Sequence, residues 1–277
     1  MNDEVGAILK GSYDLHVHAG PDPDQERRLD ALETGRHAYE AEMGGFVLKS
    51  HRYGTASLAY VLNRMYPGLN VAGSIVLNTS VGGINPDAVD VAGRLGARVV
   101  WMPTMSARHY VERQGGSGGI SLLDEGKLRP AVLEVLDAAG RYDMVVASGH
   151  VAPDEAIELF KQAKARGVNR LLATHPAGVA SIDEQREMAA LGAFLEYTFL
   201  ACMPSRGSMS PAELTETVQT LGTEHCIVTT DLGQWMNPPP AEGMRMAIAA
   251  LLDSGMSVDG VEALVKHNPA RLLNVEE

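Results

Sequence analysis

Eight short apolar runs rich in β-branched residues recur along the chain, at 13–19, 45–51, 70–78, 98–104, 142–150, 170–175, 193–199 and 226–232. Each is nearly continuous in apolar character rather than alternating, the pattern of parallel strands covered by helices. The intervals between them carry helix punctuation. Asn85-Pro86-Asp87 offers a cap, a proline at the first helical position and an acid in the first turn. Pro153-Asp154-Glu155 opens an amphipathic run through Ile157, Leu159 and Phe160 that stops at Gly167. Ser181-Ile182-Asp183-Glu184 and Ser210-Pro211-Ala212-Glu213 have the capping-box spacing. Gly44, Gly140 and Gly222 fall where helices should end. Strands alternating with helices, without a break in composition, predict a (β/α)8 TIM barrel. The expected unit is a single domain over 1–277, with strands starting near 13, 45, 70, 98, 142, 170, 193 and 226 and a C-terminal helical segment at 257–273. A doubly wound open sheet is the runner-up, disfavoured because no Gly-x-Gly-x-x-Gly follows the first strand.

Two connections are longer or stiffer than a minimal barrel needs. The stretch 105–127 holds Arg108, His109, Tyr110, Arg113 and the run Gly115-Gly116-Ser117-Gly118-Gly119, and reads as a flexible lid or binding loop before a helix near Leu128. After the eighth strand, Gly233-Gln234-Trp235-Met236-Asn237 leads into three prolines. Both connections are expected on the face that carries the polar strand ends.

Those strand ends hold the candidate chemistry. In Tyr13-Asp14-Leu15-His16-Val17-His18 the two histidines are two residues apart, so they share one face of a strand and lie about 7 Å apart along it. Two imidazoles so placed can converge on one metal ion. The second strand ends Lys49-Ser50-His51, the fifth Ser148-Gly149-His150, the sixth Ala173-Thr174-His175 and the eighth Thr229-Thr230-Asp231, while the seventh carries Glu196. Taken singly, a buried histidine bonded to a carbonyl or an aspartate capping a helix explains any of these. Taken together, five of the nine histidines end predicted strands. Four histidines and one aspartate at one barrel mouth suit Zn²⁺ or a similar divalent ion, with a position left for water.

Composition narrows the partners. The net charge of −12 argues against nucleic acid and anionic membrane surfaces, both of which require a basic footprint. The two cysteines, Cys202 and Cys226, lack metal-motif spacing and fit a reducing compartment. The acidic start Met1-Asn2-Asp3-Glu4 lacks the features of a signal peptide, and no apolar run reaches the roughly 18 residues of a membrane span. The expectation is a cytoplasmic protein whose partner is a small molecule, with homo-oligomerisation left open.

The ordered set His16, His18, His150, His175 and Asp231 resembles that of the amidohydrolase superfamily, metal-dependent hydrolases on a (β/α)8 barrel with His-x-His on the first strand, His on the fifth and sixth, and Asp on the eighth. The C-terminal His267-Asn268-Pro269-Ala270-Arg271-Leu272-Leu273 is similar to the segment that closes many members. There is one departure. Binuclear members usually have a carboxylated Lys or a Glu on the fourth strand, and Val99-Val100-Trp101-Met102-Pro103-Thr104 offers neither. The barrel-facing lysine here is Lys49, on the second strand: carboxylated and bridging two metals from an unusual place, cationic and holding a substrate carboxylate, or beside a mononuclear site with no bridge, a metal-bridging or near-metal place being favoured.

The resemblance implies one or two divalent ions, Zn²⁺ first among them, that activate water near neutral pH. Asp231 would then act as general base and acid, with His175 or His51 stabilising the oxyanion. Arg52, His51, Arg108, His109, Tyr110 and Arg113 are the candidates for holding a polar or anionic substrate, with Trp235 as an apolar wall. The implied reaction is hydrolysis of an amide, lactone or ester. The alternatives are deamination, metal-dependent decarboxylation and a barrel that keeps metal only as structural cement.

Overall fold

The computed structural model describes residues 2–275. Eight parallel strands follow one another in chain order around a sheet: β1 (Tyr13–Val17), β2 (Gly45–Leu48), β3 (Asn70–Val76), β4 (Ala97–Trp101), β7 (Val145–Ala147), β8 (Leu171–Ala173), β9 (Ala193–Thr198) and β10 (Cys226–Thr229). The remaining two strands, β5 (Leu123–Asp124) and β6 (Lys127–Leu128), form a separate antiparallel hairpin. Helices alternate with the strands: α1 (Asn2–Leu9), α2 (Ala31–Glu40), α3 (Ala56–Met65), α4 (Pro86–Arg94), α5 (Arg108–Arg113), α6 (Pro130–Arg141), α7 (Pro153–Ala165), α8 (Ile182–Ala190), α9 (Pro211–Leu221), α10 (Pro240–Asp253), α11 (Val258–Glu262) and α12 (Asn268–Leu273). This is the TIM-barrel architecture. No helix among the described residues is long and apolar enough to cross a membrane.

By its internal contacts the chain forms two compact units. The first runs up to Lys49, takes in Leu58–Ala72 and resumes at Glu196. In it β1 pairs with β2, and β2 with the start of β3, while Val17 bridges Leu232 beyond β10. Its core includes Leu15, Val17, Phe46, Val47, Ile227 and Val228, all nearly inaccessible to water. The second unit comprises Ser50–Ser57 and Gly73–Leu195. There the end of β3 pairs with β4, β4 with β7, β7 with β8, and β8 with the start of β9, over a core of Val99, Val100, Trp101, Val146 and Leu172. Burial on both faces explains why these strands read as continuous apolar runs.

The capping signals hold. Ser181 and Ser210 accept from the backbone N–H of Glu184 and Glu213, whose carboxylates return to the serine N–H groups. Asn85 caps α4, with Pro86 in its first turn. The C-terminal helical segment runs from Val258 to Leu273, with one wide turn at Ala263–His267.

Two expectations are corrected. The strands are shorter than their apolar runs, so His18, Lys49, His51, His150, His175 and Asp231 lie just beyond the ladders rather than in them. Backbone geometry causes this: Gly149, His175 and Asp231 have φ of 65°, 29° and 54°, and a left-handed residue cannot continue a strand. The stretch 105–127 is not one structureless loop. It folds into α5 and the β5–β6 hairpin, whose turn is Glu125-Gly126 with φ of 48° and 79°, as a type I′ turn requires. Ile120 exchanges backbone hydrogen bonds with Ser106 and Arg108, and the buried Glu155 carboxylate accepts from Ser121 Oγ and Leu122 N. The expected helix near Leu128 begins at Pro130.

Candidate metal centre

The first unit gathers four of the sequence candidates. In β1 the ladder to β2 skips a residue between Asp14 and Val17, just where His16 sits. His16 and His18 nevertheless face the same way, with ring centroids 5.2 Å apart. Past β10 the chain is pinned against β1: Asp231 N donates to His16 O at 2.9 Å, and His18 N to Leu232 O at 2.8 Å. The approach at Gly233 is so close that a Cβ there would stand 2.0 Å from His18 O, which only glycine avoids. The left-handed turn at Asp231 aims its carboxylate at both rings. Oδ1 lies 3.1 Å from His16 Nε2 and 3.3 Å from His18 Nε2. Among the described residues this is the one set of three or more His, Cys, Asp or Glu whose ligand atoms all lie within 4.8 Å of one another.

Two further side chains complete the cluster. Lys49, whose N–H donates to Val17 O, brings its Nζ to 2.9 Å from His16 Nε2. Glu196 of β9 stands on the other edge of that ring, with Oε1 3.0 Å from His16 Nδ1 and accepting from Thr229 Oγ1 at 3.0 Å. His16, His18, Lys49 and Glu196 are buried, whereas the Asp231 side chain keeps 17% of its exposure, so the carboxylate is the open side of the cluster. Sequence reasoning missed Asp14, an acid in mid-strand whose place in an apolar run was a legible signal. Its Oδ1 accepts from His16 N and Thr230 N, and its Oδ2 from Thr230 Oγ1 at 2.5 Å, which ties the first strand to the segment carrying Asp231. Arg27, bonded through Nε and Nη2 to Asp22, was also missed, and nothing in the local sequence marks it.

Electrostatics follow from burial. Desolvation, against the attraction of Asp231, pushes His16 down to about 3 and His18 down to about 4, so both imidazoles are neutral near pH 7. Lys49 is lowered to about 8 by desolvation, opposed by the charges of Asp231 and Glu196. The cation of Arg27 adds to the lowering of His16 and Lys49. Asp14 is raised to about 7, because loss of solvent outweighs its hydrogen bonds from Thr230 and His16.

A neutral imidazole has one N–H. Glu196 is an acceptor at Nδ1 and the Lys49 ammonium a donor at Nε2, so the proton belongs on Nδ1 and His16 Nε2 presents a lone pair. Nε2 and Asp231 Oδ1 are then two acceptors 3.1 Å apart with the Lys49 ammonium against the first of them, an arrangement consistent with a divalent ion that shares or takes over that place. The spacings also fit one: tetrahedral zinc with bonds of about 2.1 Å has ligand-to-ligand edges of about 3.4 Å.

The second unit holds the other candidates. His150 Nε2 and His175 Nε2 are 3.1 Å apart, with the Tyr110 ring 5.2 Å and the His51 ring 6.3 Å from that of His150. His51 Nδ1 meets Thr104 Oγ1 at 2.9 Å, and Asn78 anchors this corner by donating to Thr104 Oγ1 and His51 O. His109, Tyr110 and Arg113 stand on α5 rather than in a loop, with Arg113 exposed. Arg52 is half-buried beside Ser50, and in the first unit Trp235 is 53% exposed, its carbonyl accepting from Arg28.

Solved structures that align with nearly the whole chain include amidohydrolase-superfamily members. An amidohydrolase from Pseudomonas aeruginosa aligns at 15% identity with a TM-score of 0.68, covering 98% of each chain. A probable dipeptidase from the same organism aligns at 12% and 0.67, covering 98% of this chain and 97% of that one. A probable 2-pyrone-4,6-dicarboxylic acid hydrolase from Acinetobacter baumannii, with citric acid bound, aligns at 14% and 0.60, covering 95% and 99%. What this likeness shows is the TIM-barrel fold, and in this chain His16, His18 and Asp231 form a cluster consistent with a divalent metal site. The chain belongs to a family of unknown function, DUF6282, whose model matches residues 11–196. No curated protein matches it in sequence.

Proposed function

We propose that this protein is a metal-dependent hydrolase that cleaves an amide, lactone or ester bond of a small polar or anionic substrate. The observation that carries the reading is the convergence of His16 Nε2, His18 Nε2 and Asp231 Oδ1, with Glu196 Oε1 3.0 Å from the far nitrogen of His16. These three side chains would hold the ion, Zn²⁺ by donor type. Lys49 stands beside it, as a bridging residue or as a cation for a substrate carboxylate. The His150–His175 pair is a second ligand pair in its own unit, and His51, Arg52, His109, Tyr110, Arg113 and Trp235 are proposed for substrate.

A divalent ion supplies Lewis acidity there, which makes water acidic near neutral pH and polarises a carbonyl. The protein's own residues do the rest. Asp231, the open member of the cluster, takes the proton of the attacking water on its carboxylate and returns it to the leaving group. His16 and His18, kept neutral by burial, keep their lone pairs for coordination. His175 is proposed as the partner of the developing oxyanion.

The test is metal analysis of the purified chain together with turnover of a panel of amides, lactones and esters. The expected result is one or two divalent ions per chain and hydrolysis that stops on chelation. Chelation-sensitive release of CO₂ from an acid, with no hydrolysis, would replace this reading with a lyase. A chain that takes up no divalent ion would overturn it.

A further inference from the structure

We propose that Glu196 is a positioning residue that sets the divalent-cation affinity of the cluster by fixing the tautomer of His16. The proposal rests on the metal reading above and adds to it a residue outside the converging set. Glu196 lies on β9, and its side chain is buried to completion. An acid placed there is costly to desolvate unless it is paired. What its carboxylate does is specific. Oε1 sits 3.0 Å from His16 Nδ1, and the same oxygen accepts from Thr229 Oγ1, so the acceptor is itself held in place. The contact holds the ring plane of His16 and, together with the Lys49 Nζ donor at 2.9 Å from Nε2, the side that bears hydrogen, which leaves the Nε2 lone pair beside Lys49 and Asp231. A carboxylate on the far nitrogen also raises the electron density at the ligating nitrogen.

Without Glu196, Lys49 Nζ at 2.9 Å from Nε2 is left to oppose the other tautomer of His16, in which Nε2–H donates to Asp231 Oδ1 at 3.1 Å. That hydrogen bond satisfies both groups and competes directly with a cation. Glu196 therefore disfavours the closed, metal-free arrangement of the same side chains. Its effect should appear in binding of the metal alone, before any substrate is present.

The experiment titrates Zn²⁺ into the metal-free full-length protein by calorimetry, for wild type, Glu196→Ala and Glu196→Gln. The tautomer of His16 is read in parallel from ¹⁵N shifts of the metal-free wild type. Glu196→Ala should weaken Zn²⁺ binding roughly 10- to 100-fold, the usual loss when the partner of a ligating histidine is removed. Glu196→Gln, which keeps an oxygen acceptor, should recover most of that loss. His16 in the wild type should carry its proton on Nδ1. If Glu196→Ala does not fold, Glu196→Asp, which withdraws the carboxylate by one methylene, takes its place and should show the same loss. Unchanged affinity in the Ala or Asp variant overturns the proposal, as does a wild-type His16 protonated on Nε2. Equal loss in the Ala and Gln variants overturns it too, since a packing defect would not be repaired by an acceptor. A wild type that binds no Zn²⁺ overturns the metal reading itself, an outcome distinct from all of these.

Discussion

The unit containing β1 and the unit containing β7 each bring histidines together, but they surround the rings differently. In the first, His16 and His18 converge on the Asp231 carboxylate, Glu196 takes the far nitrogen of His16, and Lys49 closes on its near nitrogen. In the second, His150 and His175 face each other through Nε2, Tyr110 flanks His150, and His51 is steadied by the neutral groups Thr104 and Asn78. A ligating imidazole is oriented by an acceptor on its other nitrogen, and a carboxylate there also makes the ligating nitrogen more basic. By that measure the first cluster is the one consistent with a divalent metal site. The second is a pair of nitrogens that a cation or a shared proton would bridge.

The comparison breaks most visibly at Asp231. Asp231→Asn keeps size and weak coordination but cannot accept a proton. Turnover of a responsive substrate should fall roughly 10²- to 10⁴-fold, while metal content falls much less than in His16→Ala or His18→Ala. Near-wild-type turnover would move proton transfer to another residue. Next in size is the division of metal between the two clusters. His16→Ala and His18→Ala should remove most bound metal, whereas His150→Ala and His175→Ala should leave at least one ion per chain by elemental analysis. Metal loss as complete in His175→Ala as in His16→Ala would show that the three-residue set does not hold an ion by itself.

Acid stability sharpens the contrast at a smaller scale. His16 and His18 are held at about 3 and about 4 in the folded chain, below the ordinary 6.5. As pH falls the unfolded chain therefore takes up protons first. The metal-free protein should lose stability from about pH 6.5 down to about 4, by up to about 1.4 kcal/mol per pH unit for each ring. Urea melts across that range measure it, and His16→Gln should flatten the slope. The smallest effect is expected at Asp14, raised to about 7. Asp14→Asn imitates the protonated acid that burial favours, so at pH 6 it should cost no more than about 1 kcal/mol in a urea melt. A larger loss would mean that the anion itself is required.

The sequence determined the order of elements, because covered parallel strands are continuous apolar runs and the caps of α4, α8 and α9 are local hydrogen bonds. It also marked His16 and His18 as partners, since the two-residue period of a strand is a local property. Asp14 was legible in the same way, as an acid inside an apolar strand, and was passed over. The fold of 105–127 was partly legible in Glu125-Gly126, although its anchor, Glu155, is distant in sequence. Which polar strand ends belong together was decided only by tertiary structure. Glu196 meets His16 across 180 positions, and Lys49 meets it across 33. Asp231 reaches both rings because β1 and the segment after β10 exchange backbone hydrogen bonds and the chain turns left-handed there. Such contacts depend on the register of distant segments and on one residue's φ, and a linear pattern of apolar and polar residues encodes neither.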